Sequence, residues 1–138
     1  MQIESQDNLV DRPGLKSRVG PFFAQEFFHN HLVQWITIPT LIVNLGGWAA
    51  LRIMLSTPLD LMVTLHYNVY FGVDVIGYGR QAYLVPGVAT VFLLINFWLA
   101  YFFYGRKNRV AAYIFLLATL IIQIGTAIAV AGIILINY

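Results

Sequence analysis

Three apolar stretches, each long enough to cross about 30 Å of hydrocarbon as a helix, leave this chain few folds to choose from. The first, Trp35 to Leu55, reads WITIPTLIVNLGGWAALRIML and meets no charge before Arg52. The second, Leu84 to Tyr104, is uncharged and closes on Trp98, Tyr101, Phe102, Phe103 and Tyr104, aromatics suited to a headgroup boundary. The third, Val110 to Ile136, would be about 40 Å long as a helix, and so must tilt or protrude. Only 10% of the residues are charged and 59% are hydrophobic. Soluble domains carry about 25% charge, so the apolar excess has to face acyl chains or another subunit. The expected fold class is all-α transmembrane: a three-helix membrane protein with a short extracytoplasmic β-like segment between spans one and two.

Lysine and arginine concentrate on cytoplasmic flanks, which orients the spans. Arg12, Lys16 and Arg18 precede span one, and Arg106, Lys107 and Arg109 crowd the GRKNR turn between spans two and three. Arg52 and Arg80 alone lie on the other side. The expected protein is integral to the bacterial cytoplasmic membrane, amino terminus inside and carboxyl terminus outside. Residues 1–33 lack the continuous apolar run of a cleavable leader, so span one is expected to direct insertion. Two regions result: a cytoplasmic tail over 1–33, and a membrane domain over 34–138 whose outer loop covers 56–83. In PFFAQEFFHNHLVQW, Phe22, Phe23, Phe27 and Phe28 are spaced as an amphipathic lead-in lying in the interface, with partner docking as the other reading. Residues 1–20, with Pro13, Gly14 and Gly20, read as irregular.

The outer loop is the polar exception. From Leu59 to Val75 every odd position is apolar, while the even ones include Asp60, Thr64, His66, Asn68, Tyr70, Gly72 and Asp74. A period of two rich in β-branched and aromatic residues reads as strand. A fourth span here would instead carry Asp60, His66 and Asp74 into lipid. The segment is longer than an ordinary strand and its parity never switches. It is therefore expected to be one long strand bent near Gly72, or two strands joined by a three-residue loop. Its backbone edge is expected to pair with another chain, a second copy or a different subunit.

His66, Asn68, Tyr70 and Asp74, with Arg80 beyond them, form either the satisfied polar face of a small extracytoplasmic cap or a recognition face for a headgroup, a metal or a peptide. One imidazole and one carboxylate are too few for a metal site, and His29 and His31 lie across the membrane by this topology. No serine, cysteine or lysine accompanies His66 as a nucleophile. The chain has no cysteine, which removes disulfides and thiolate chemistry. Enzyme activity, a metal and a cofactor are therefore not expected, and a net charge of +2 is too small for a nucleic-acid surface.

The HYN at 66–68 followed by Asp74 resembles the motif of a bacterial domain of unknown function, found in small multi-span membrane proteins related to the immunity protein of a sporulation-delaying toxin. That pattern, I-P-x-H-F-N-x-x-G-x-x-D, falls between a first and a second span. His66, Asn68 and Asp74 fit its spacing, and Gly77, Tyr78, Gly79 and Arg80 resemble the glycine, aromatic and basic residue that follow it. Thr64 stands where the proline would, and Gly72 falls one place late. The longer LHYNVYFGVDVIG is similar to small three-span proteins of small-genome bacteria. The resemblance implies a small multi-span membrane protein and carries over no established function.

Each span holds one carboxamide near mid-depth, Asn44, Asn96 and Gln123, expected to join the helices in a polar layer. Gly46 and Gly47 in span one, and Gly125, Ala129 and Gly132 in span three, supply small faces for helix packing. No carboxylate, lysine or histidine lies in the middle of a span, which disfavours a proton relay or a haem. Pro39 and Pro86 read as first-turn prolines. The leading expectation is a non-enzymatic accessory or structural subunit of a larger membrane assembly, its partners being the lipid bilayer and other membrane subunits or copies of itself. The alternatives are a stand-alone envelope sensor or immunity-type protein, and an oligomeric channel. A channel predicts a single-channel conductance that changes when Asn44 or Asn96 becomes leucine.

Overall fold

The computed structural model describes residues 26–55 and 60–137. Helix α1 (His31–Met54) leads into a β-hairpin of β1 (Met62–Asn68) and β2 (Gly72–Tyr78), then a single helical turn, Gly79–Ala82. Helices α2 (Leu84–Gly105) and α3 (Arg109–Asn137) complete the order. All three long helices have the length and hydropathy to cross a membrane. Arg12, Lys16, Arg18, Phe22, Phe23 and Leu59 lie outside the described residues.

Helix α1 begins a turn before its apolar run because Asn30 caps it. The Asn30 side-chain oxygen accepts the amides of Leu32 at 2.9 Å and Val33 at 3.3 Å, filling donors that a helix start leaves open. This moves Pro39 from the expected first turn into the helix interior, where its missing N–H deprives the Trp35 carbonyl of its usual partner. It also makes His31 the first residue of a span-length helix and not a flanking one. Pro86 does fall in the first turn of α2.

Helix α3 is the central element. It packs along both α1 and α2, while those two touch each other little. Apolar clusters close each end of the bundle. Phe27, Val33, Ala100, Tyr104, Ala112 and Leu116 pack at one end. Leu51, Leu55, Val63, Ala82, Val130, Ile133 and Ile134 pack at the other, where the hairpin joins.

At the first end Phe27 is fully buried, meeting Phe28, Phe97, Tyr101 and Tyr104 edge-on at centroid distances of 5.2–5.6 Å. Such edge contacts add to the area they bury. Asn30 extends the tie, donating from Nδ2 to the Tyr104 and Tyr113 hydroxyls at 3.1 Å each. Arg109 holds Glu26 at 2.9 Å. The lead-in to α1 and the Arg106 to Arg109 turn therefore share one end of the bundle. Lys107 sits in that turn at φ 63°, the left-handed position after a helix that usually selects glycine.

Of the two expected forms of the outer segment, the structure adopts two strands with a three-residue loop, 69–71. Gly72, at φ +84°, opens β2, a conformation side chains resist. The pairing continues to Tyr78, beyond the alternating run. The pairing slips by one residue where His66 stands across from Val75 and returns to its earlier register at Tyr67 and Val73, so the odd positions keep one face. Gly77 lies in close quarters: a Cβ there would displace the ends of the Leu65 and Gln81 side chains.

The outer edge of β1 is engaged by α3. Asn137 accepts the Thr64 amide at 2.8 Å through Oδ1 and donates to the Thr64 carbonyl at 2.7 Å through Nδ2. Its carboxamide thus substitutes for a neighbouring strand at that residue. Asn137→Ala removes both bonds, and an orphaned amide pair costs about 1–3 kcal/mol. Deuterium exchange at the Thr64 amide in detergent should accelerate about tenfold, equivalent to about 1.4 kcal/mol. Unchanged protection would show that the hairpin is held by other means.

Candidate functional site

Two groups of polar side chains stand out in an otherwise apolar molecule, one at mid-bundle and one on the hairpin. At mid-bundle, Gln123 of α3 is fully buried. Its Oε1 accepts from Asn44 Nδ2 of α1 at 3.1 Å, and its Nε2 donates to the Ala89 carbonyl of α2 at 2.9 Å. One side chain thereby joins three helices. Asn44 Nδ2 also donates to Thr90 Oγ1 at 3.0 Å, and Trp48 Nε1 donates to the same oxygen at 3.1 Å.

Asn96 is not part of this layer. Thr90 stands in its place, because Asn96 lies six residues further along α2 and so about 240° around the helix from Thr90. Sequence reasoning passed over Thr90 and Trp48, whose types are common in spans and give no signal alone. The geometry satisfies the carboxamides of Asn44 and Gln123 and so holds the three helices together.

The rotation of α3 also decides where its small residues face. With Gln123 turned inward, Gly125 lies about 200° and Gly132 about 180° around the helix from it. Gly125 and Ala129 are exposed and Gly132 is half-buried, so the stripe does not pack α3 against α1 or α2. In α1, Gly47 is buried and Gly46 exposed. Both line a groove of about 460 Å³ between α1 and α3, with Ala50, Ala127 and Ala131. A cleft of about 230 Å³ opens between α1 and α2. It is lined by Thr37, Thr40, Leu93, Phe97, Leu116 and Thr119, among others.

On the hairpin the five expected recognition residues divide. His66 Nδ1 and Asp74 Oδ2 come within 3.4 Å across the strands, both side chains more than a third exposed, so the pair is worth at most about 1 kcal/mol. Asn68 Oδ1 accepts the Tyr70 amide at 2.9 Å, shaping the loop. Tyr70 itself points away from the protein. Arg80 sits apart, 3.9 Å from Asp60 and over the Tyr78 ring at 5.0 Å. Among the described residues no three histidine or carboxylate groups converge as metal ligands. The chain matches no known family, no curated protein and no solved structure, so function has to be argued from this geometry.

The Asn44 and Gln123 contact can be weighed by a double-mutant cycle. Asn44→Leu and Gln123→Leu should each lower the unfolding temperature in detergent. Their coupling energy should fall at about 0.6–1.7 kcal/mol, the range for interhelical hydrogen bonds in membranes. Strict additivity would mean that the two side chains do not meet.

Proposed function

We propose that this protein is a non-enzymatic subunit of a larger membrane assembly, and that its helices seat helices of other chains. The supporting observation is unused small-residue surface. Gly46 and Gly47 line an unfilled groove, Gly125 and Ala129 face outward, and a Cβ at Gly46, Gly47 or Gly125 would meet nothing within 4 Å. Small residues in spans let backbones approach closely, and among the described residues no other helix makes that close approach at Gly46 or Gly125. The mid-bundle carboxamides are hydrogen-bonded to one another and to neighbouring helices, which supports a cohesive role.

The hairpin favours one other reading, a sensor or immunity-type protein that recognises a peptide or ligand through its outer loop. Its support is the exposed His66 and Asp74 pair beside an exposed loop. Both readings take the hairpin end of the bundle as extracytoplasmic, on the distribution of Lys and Arg. They part on behaviour in isolation, since a sensor folds and stays dispersed alone.

Gentle extraction from the native membrane, capture by an amino-terminal tag and mass spectrometry should return a reproducible set of co-purifying membrane subunits. Gly46→Leu combined with Gly125→Leu should reduce that set severalfold while leaving the unfolding temperature of the isolated chain within a few degrees. Recovery as a lone monomer would overturn the assembly reading.

A further inference from the structure

The hairpin has an apolar face that starts inside the bundle and continues past it. Val63 is buried at the hairpin end among Leu51 of α1, Ala82 and Ile133 of α3, and Leu65 packs against the same cluster. That face of the sheet is therefore turned toward the end of the bundle. Tyr67 and Val73, paired across the strands, extend the same face outward, and each is about half exposed. Val69, Tyr70 and Phe71 at the tip are 84%, 90% and 84% exposed. His66 and Asp74 carry the polar groups of the distal half.

Seven residues of strand reach about 23 Å at 3.3 Å each. Exposure rises along it from 4% at Val63 to 84–90% at Val69, Tyr70 and Phe71, so the distal half stands clear of the bundle. Both roots of the hairpin are held at the ends of spanning helices: Thr64 by Asn137 of α3, and Leu61 by the amide of Gly79, whose turn leads into α2. The apolar face thus starts at the ends of helices long and apolar enough to cross a membrane. Tyr67, Tyr70 and Phe71 are also residue types that settle at the boundary between headgroups and hydrocarbon.

We infer that the hairpin lies on the bilayer, with Tyr67, Val73 and the tip 69–71 in the headgroup boundary and the His66 and Asp74 face toward water. The partner of this surface is lipid. The reading is independent of any subunit bound along the helices.

The absence of cysteine allows single spin labels to be placed without background. Phe71→Cys and Val73→Cys, and separately His66→Cys and Asp74→Cys, would be labelled in the full chain in phosphatidylcholine and phosphatidylglycerol nanodiscs. Relaxation would be compared between lipid-soluble oxygen and a water-soluble nickel chelate. Labels at 71 and 73 should show a ratio of oxygen to nickel accessibility severalfold above those at 66 and 74. Equal, high nickel accessibility at all four would mean an upright hairpin in water and would overturn the proposal. Shielding of 71 and 73 from both reagents would also overturn it, pointing to a covering protein. As a check free of substitutions, a headgroup spin-labelled lipid should broaden the amide signals of Val69 to Val73 in the unlabelled chain, and an aqueous gadolinium chelate should not.

Discussion

Gln123 is the side chain on which the arrangement of this bundle turns. A primary amide buried in an apolar layer must find both an acceptor and a donor, because no water reaches it. It finds them on opposite sides, the donor on α1 and the acceptor on α2. Satisfying both places α3 between its neighbours and sets its rotation. The outward stripe at Gly125 and Ala129 follows from that rotation as an angular consequence.

The same chemistry recurs at the two ends. Asn30 caps α1 and donates to hydroxyls on α2 and α3. Asn137 closes both backbone groups of Thr64 and so joins α3 to the hairpin. Carboxamides can donate and accept at once while carrying no charge, which makes them economical connectors where ions would be costly. A consequence is that the hairpin is attached to the central helix and not only to the helices it connects in sequence. Whatever the hairpin contacts is therefore mechanically close to α3 and to the outward face of that helix.

Much of this was legible in the residues. The apolar runs marked all three helices because a backbone in lipid has little alternative to helix, and the period of two at Leu59 to Val75 marked the outer segment as β-structure. The start of α1 was misplaced because the apolar run begins at Trp35, whereas the cap is Asn30, polar and a turn earlier. The sheet register was not legible: an alternating pattern says which residues share a face, but two slips of one residue leave most of that pattern intact while moving Val75 across from His66.

What the sequence determined by itself was the number of helices, their approximate limits and the residue types available to join them, since these depend on local hydropathy and length. Only the tertiary structure decided which carboxamides meet, which small residues remain outside and which residue seals the strand edge. Asn44, Asn96 and Gln123 are equivalent as letters at mid-depth. The pairing of Asn44 with Gln123 and with Thr90, and not with Asn96, depends on helix phase, and a difference of six residues turns a side chain to another face. Asn137, at the far end of the last helix, could be matched to Thr64 only once the chain had folded back on itself.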